Sequence, residues 1–211
     1  MKVSGFTFIK DAEICDYPIC EAIQSILPLC DEVIVAVGKS RDNTLQLVRN
    51  IASDKVRIIE TVWDENLREG GRVLALETDK AFKEISKDAD WCVYIQADEI
   101  VHENSLNAII ESMLKWKDDK RVEGLLFEFI HFYGSYSYIA DSYNWHRKEI
   151  RVIRNHADIF SYKDSMGFRK RPNNKLAVKS SGGVIHHYTA VKTPPPYAEQ
   201  SQGIHRPVSA R

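Results

Sequence analysis

Over the first 116 residues, short apolar bursts alternate with stripes of helical period. Residues 3–9 are aromatic and β-branched and end at Lys10 and Asp11, which predicts a buried strand. In residues 17–30, Ile19, Ala22, Ile23, Ile26 and Leu27 fall on one helix face. Pro18 suits the first turn of that helix, and Pro28 should end it. Residues 33–37 (VIVAV) are too few for a helix and rich in β-branched side chains, as in a strand buried on both faces. A polar turn at 38–43, a short helix at 44–51 and a strand at 56–60 follow. After a loop at 63–71, residues 72–86 form a helix with Val73, Leu76, Ala81, Phe82 and Ile85 on its apolar side. Residues 91–96 (WCVYIQ) read as a fourth strand leading into Ala97-Asp98-Glu99, and 105–116 as a helix capped by Asn104 or Ser105.

This β-α-β-α-β-α-β order predicts an α/β fold, an open, mostly parallel sheet flanked by helices. Such sheets bind ligands beyond the carboxyl ends of their strands, where the strand order reverses. After Lys120 the grammar changes. Residues 122–132 read as a long strand, 133–145 as an aromatic, turn-rich stretch, and 150–153 and 184–188 as short strands. The expected organisation is one domain over 1–193, with a nucleotide half at about 1–118 and a smaller, mixed acceptor half at about 119–193. Residues 194–211, which begin Pro194-Pro195-Pro196, have no apolar period and are expected to be an extended or disordered tail. A chain of 211 residues is long enough to bury a proper core without staples.

Charge narrows the function classes. Lys and Arg number 29 and Asp and Glu 30, so no global field draws the protein to nucleic acid or an anionic membrane. The basic residues gather between 147 and 179, including Arg169, Lys170 and Arg171. That stretch is either a solvated face or a surface that meets phosphates or an anionic acceptor. Cys15, Cys20, Cys30 and Cys92 form no C-x-x-C pair and read as reduced thiols. No apolar run approaches the ~20 residues that span a bilayer. The first ten residues lack a long apolar stretch, so the expected location is cytoplasmic.

Several nucleotide-binding grammars are missing. No G-x-G-x-x-G follows the first strand, and there is no G-x-x-x-x-G-K-[ST] and no G-x-S-x-G elbow. What stands at a strand end instead is Gln96-Ala97-Asp98-Glu99. Carboxylates there can hold a hard divalent cation whose remaining positions go to water or a diphosphate. Such a cation neutralises the charge that develops on a diphosphate leaving group.

These residues resemble the family-2 glycosyltransferases, which have the GT-A fold, and in particular the bacterial enzymes that extend lipopolysaccharide cores and surface glycans. Residues 31–35 followed by 38–44 (GKSRDNT) resemble the family's "DEIVVVDSGSTDGT" segment. Residues 94–99 (YIQADE) resemble its "LDADE" segment, the D-x-D motif. Gly70-Gly71-Arg72 resembles the Gly-led helix opening between them. The resemblance implies a nucleotide-diphosphate sugar donor, a glycan or lipid-linked acceptor, peripheral contact with the inner face of a membrane as one setting, and Mn²⁺ or Mg²⁺ as cofactor. It assigns the nucleotide base to Asp42, with Asp11 and Arg72 nearby, and the metal to Asp98. Gln96 stands where the family usually has its first Asp, and it brings hydrogen bonds without charge.

The resemblance also implies inversion, which takes a carboxylate as general base, and in the family that base lies downstream of D-x-D. Asp164, Glu149 and Asp141 are the candidates. Asp164 is favoured because a Gly-Phe-Arg turn follows it near the basic stretch. The resemblance to GT-A enzymes implies a late histidine as an additional metal or diphosphate ligand; His186 and His187 point to opposite faces of a strand, and His187 is preferred. Arg169 or Lys170 would contact the diphosphate. Tyr133, Tyr136, Tyr138, Tyr143 and Trp145 are either a sugar-stacking wall or core. Two other functions stay open: a non-catalytic sugar-nucleotide or glycan binding protein, and a sugar nucleotidyltransferase.

Overall fold

A computed structural model of the protein describes residues 1–67, 69–142, 145–191 and 205–207. In chain order its strands are β1 (Val3–Ile9), β2 (Glu32–Gly38), β3 (Val56–Thr61), β4 (Trp91–Tyr94), β5 (Glu99–Val101), β6 (Gly124–Tyr133), β7 (Ser135–Ala140), β8 (Lys148–Ile153), β9 (Ile159–Tyr162), β10 (Gly167–Lys170), β11 (Val178–Ala190) and β12 (His205–Pro207). The α-helices are α1 (Ile19–Ile26), α2 (Thr44–Arg49), α3 (Arg72–Lys83) and α4 (Leu106–Trp116).

β3, β2, β1 and β4 lie side by side and parallel. β8 then joins β4 antiparallel, and β6 continues from β8 in the same sense. β11 runs parallel along the other edge of β6 and carries β5 antiparallel beyond it. A single sheet therefore crosses both halves of the chain. The four strands read as apolar bursts form its parallel part because both their faces are covered. Val33, Val35 and Val37 of β2 enter the core under α1, while Ile34 and Ala36 enter the opposite core under α3 and the β9–β10 hairpin. Each such fully buried aliphatic side chain contributes roughly 1.5–3 kcal/mol.

The structure redraws several boundaries. α1 stops at Ile26, because Pro28 tightens the next turn into a 3-10 segment, Leu27–Leu29. β11 is thirteen residues long, not five, since Ser180 to Gly183 stay in line with it through an irregularity in its register with β6. The aromatic stretch after residue 132 contains β7, which folds back on β6 at Gly134 (φ 70°). Part of the basic stretch is the β9–β10 hairpin. Residues 205–207 of the expected tail form β12 against β7, and the rest of that tail lies outside the described residues.

One buried ion pair ties the halves together. Arg151 of β8 donates to both oxygens of Glu99, from Nε at 2.7 Å and from Nη2 at 2.6 Å, with both side chains almost fully enclosed. The guanidinium also donates to the carbonyls of Ile150 and Met166 and lies against the rings of Tyr94 and Phe129. Every polar edge is thus met, which a buried charge pair requires. Glu99, the last residue of the acidic motif, is accordingly structural.

Candidate active site

β1 has β2 on one edge and β4 on the other, so the order reverses there and the carboxyl ends of β1 and β4 open a crevice. A cleft of about 490 Å³ occupies it. Lys10 and Asp11 line it from the end of β1, and Gln96, Ala97 and Asp98 from the end of β4. Tyr17, Trp63 and Asp64 form further wall, and Asp164 reaches in from the β9–β10 turn.

Asp98 is held from β11. The Thr189 hydroxyl donates to its Oδ2, and His187 Nε2 stands 3.5 Å from the same oxygen. Burial by itself raises the pKa of this carboxyl, but the His187 and Thr189 contacts outweigh it and hold it below the ordinary carboxylate value. The histidine tautomers follow from a chain of partners. His131 Nε2 lies 2.6 Å from the His146 carbonyl, which only accepts, so that nitrogen carries a proton. Burial lowers the His131 pKa and favours the neutral ring, whose Nδ1 then accepts from His187 Nδ1 at 2.7 Å. His187 Nε2 meets the Thr189 hydroxyl at 2.6 Å and faces Asp98, so it is the ring nitrogen that would meet a metal beside that carboxylate.

Among the described residues no three His, Cys, Asp or Glu side chains converge on a metal position. Asp98 and His187 offer two ligand atoms, one oxygen and one nitrogen, compatible with Mn²⁺ or Mg²⁺ when a diphosphate and water supply the rest.

The other residues singled out in the sequence are more dispersed. Asp11 (φ 52°) lines the cleft, but Arg41 occupies it through its backbone N–H at 2.7 Å and its guanidinium at 2.8 Å, and both hold its pKa low. Asp42 does not line the cleft. Its Oδ1 accepts from the Thr44 N–H and hydroxyl and its Oδ2 from the Ile14 N–H, so it clasps the turn after β2 to the loop after β1. Asp42, expected to meet the nucleotide base, thus receives these donors from its own chain. Arg72 opens α3 with an exposed side chain outside the cleft lining. Glu149, a candidate base, and Arg169, a candidate diphosphate contact, line a different cavity and not this cleft. Lys170 is paired with Glu123, and Asp141 with Arg147. Trp145 packs on His131, Tyr136 on Tyr188, and Tyr143 lies outside the described residues.

Gln96 turns toward the β9–β10 turn, where its Nε2 donates to the Ser165 carbonyl at 2.9 Å. A carboxylate could not make that bond. The Ser165 hydroxyl is in turn buried among Thr78, Tyr94 and Ser161. Gly71 (φ 70°) lets Asp164 approach, since a methyl group there would stand 2.8 Å from the Asp164 Cα. The turn that presents Asp164 is therefore fixed from three sides.

Sequence reading passed over Tyr17, Trp63 and Asp64. A tryptophan in a loop just beyond a strand end is the signal that could have marked the wall. Trp63 packs on Phe8 and beneath the Lys10 ammonium, and its indole seats against Gly38, where a methyl group would fall 2.8 Å from Cδ1. Gly38→Ala is expected to displace the indole and weaken binding of a ligand in the cleft about tenfold, measured by calorimetry, with a change in Tm below about 4 °C.

A pH effect follows from the histidine cluster. Burial pushes His146 down to about 4 from its ordinary 6.5. Between those values the unfolded chain binds more protons than the folded one, so stability falls as pH drops through this window. Thermal melts should show Tm decreasing from pH 7 to pH 4.5, with a shallower decrease in His146→Phe. Equal slopes would contradict the assignment.

No protein-family model matches the chain, and no curated protein matches it in sequence. Solved structures do resemble it. The fragment 1–349 of S. aureus TarS in complex with UDP superposes with a TM-score of 0.53 at 16% identity, covering 89% of this chain and 60% of that one. The fold is GT-A. The same TarS fragment in complex with UDP-GlcNAc gives a TM-score of 0.51 at 17% identity over 92% of this chain and 60% of that one. Glucosyl-3-phosphoglycerate synthase from Mycobacterium tuberculosis gives 0.41 at 22% identity over 63% and 45%. The chain thus spans less than two thirds of the solved chains it matches. Among the described residues no helix is long and apolar enough to cross a membrane.

Proposed function

We propose that the protein is a glycosyltransferase that moves a sugar from a nucleotide-diphosphate donor to a hydroxyl of a glycan or lipid-linked acceptor, with inversion, as family-2 enzymes do. The observation that carries this reading is the convergence of Asp98 and Asp164, from two distant parts of the chain, on one aromatic-walled cleft at the switch point of a GT-A sheet.

In this reading the nucleoside lies against Trp63 and Tyr17, and its diphosphate points to Asp98. Bound Mn²⁺ or Mg²⁺, held by Asp98 and His187, would supply charge neutralisation for the departing diphosphate. Asp164 accepts the proton of the acceptor hydroxyl. The oxygen forms its bond to the anomeric carbon as the bond to the diphosphate breaks and that electron pair leaves with the phosphate. TarS, bound to UDP and UDP-GlcNAc on the same fold, makes uridine nucleotides the first donors to try.

The test is calorimetric titration of UDP, GDP and dTDP with and without Mn²⁺, followed by transfer or hydrolysis assays on the corresponding sugars. Metal-dependent binding that Asp98→Asn abolishes supports the proposal. Failure of all three nucleotides to bind folded protein would remove it, and binding with neither transfer nor hydrolysis would leave a non-catalytic binding protein.

Gln96 gives a sharper prediction. If its work is to hold the Ser165 carbonyl, Gln96→Glu sets a carboxylate against that oxygen. Turnover should fall at least about tenfold, since small misplacements are costly, while nucleotide affinity stays within about twofold. A large loss of nucleotide affinity would mean that Gln96 is a donor ligand.

A further inference from the structure

The β9–β10 turn borders two cavities. Asp164 lines the cleft just described, while its neighbours Lys163 and Met166 line a second cavity of about 430 Å³ between the hairpin and the β6–β8 part of the sheet. Lys163 and Ser165, on either side of Asp164, both have left-handed backbone (φ 56° and 70°). The cavity has an apolar lining that includes Leu126, Phe168 and Leu176, within the size range of a small-molecule site.

Its polar groups are unevenly charged. Lys163, Arg169 and Lys175 all line it, and among the described residues none of them has a carboxylate at ion-pair distance. Nearby Lys148 and Lys170, by contrast, are paired with Glu128 and Glu123. Arg169 lies over the Tyr162 ring at 4.6 Å and Lys163 approaches the same ring at 5.5 Å, so the aromatic positions both cations without neutralising them. The one carboxyl on the described lining is Glu149, half-buried beside Gly167. Burial raises its pKa against the pull of the Arg151 and Arg169 charges.

We propose that this second cavity binds a phosphate-bearing carbohydrate, with Arg169, Lys163 and Lys175 on the phosphate and Glu149 on a sugar hydroxyl. An arginine fork with flanking lysines suits a phosphate's oxygens, and a carboxylate suits vicinal hydroxyls. As the acceptor's anchoring site, a meaning that rests on the donor reading above, the cavity would deliver a neighbouring hydroxyl across the turn to Asp164.

The experiment titrates glucose 6-phosphate, with glucose as the neutral control, into the full chain with and without saturating UDP and Mn²⁺. Glucose 6-phosphate should bind at least tenfold more tightly than glucose under both conditions. The Lys163→Gln/Arg169→Gln variant should lose at least tenfold in that affinity while its melting temperature and UDP affinity hold. Glu149→Gln should weaken glucose 6-phosphate but not inorganic phosphate. Equal binding of the two sugars, or an undiminished affinity in the double variant, overturns the proposal. Sedimentation with phosphatidylcholine vesicles containing phosphatidic acid separates the sources. Capture that depends on Arg169 indicates a lipid-borne phosphate, whereas glucose 6-phosphate binding without capture indicates a soluble one. Binding of glucose 6-phosphate through Arg169 in a protein that never binds UDP would keep this site and remove the donor reading.

Discussion

Asp164→Asn is expected to slow sugar transfer by about 10²–10⁴-fold while leaving nucleotide affinity within about twofold. The side chain keeps its size and its place on the β9–β10 turn, between the Gly71 contact and the buried Ser165 hydroxyl. Only the ability to take a proton is lost. The loss should therefore appear in kcat, with little change in the KM for donor. Gly71→Ala is the companion variant, because it moves the carboxylate without removing it and should lower kcat in the same direction. A kcat for Asp164→Asn within threefold of wild type would take the base role away from this residue.

Arg151→Met is expected to destabilise the fold by about 3–5 kcal/mol, because it leaves the Glu99 carboxylate enclosed without its counter-charge. For a chain of this size that is a fall in Tm of roughly 6–20 °C. Arg151→Met/Glu99→Leu should recover much of the loss, since removing both charges also removes the desolvation cost. Thermal or urea melts of the three proteins decide it. If the single variant were as stable as wild type, the pair would not be the clamp between the two halves of the sheet.

What could be read in advance divides along physical lines. The parallel strands and their helices were legible because strands covered on both faces become near-continuous apolar runs, as in residues 33–37, and helices keep a 3.6 period. The hairpins of the second half were not. β10 has only four residues, and in β7 Tyr136 and Tyr138, though they alternate with serines, are both exposed and mark no buried face. Among site residues, Asp98 was marked by a strand end followed by carboxylates, and the cleft does form around it. Asp42 could not be placed in advance because a turn-capping aspartate and a ligand-binding one share a sequence signature, and only coordinates show which N–H groups reach its oxygens. Gln96 was read as a nucleotide-sugar contact bringing hydrogen bonds without charge, and its amide donates to a carbonyl 69 positions away in sequence. Long-range contacts of that kind leave no local pattern.

The most direct measurement is a crystal structure of the protein grown with UDP and Mn²⁺. The donor-cleft reading requires the uracil against Trp63 or Tyr17 and a metal bridging the diphosphate to Asp98 and His187. A nucleotide ordered anywhere else, or seated in the cleft with its phosphates turned away from Asp98, would contradict it.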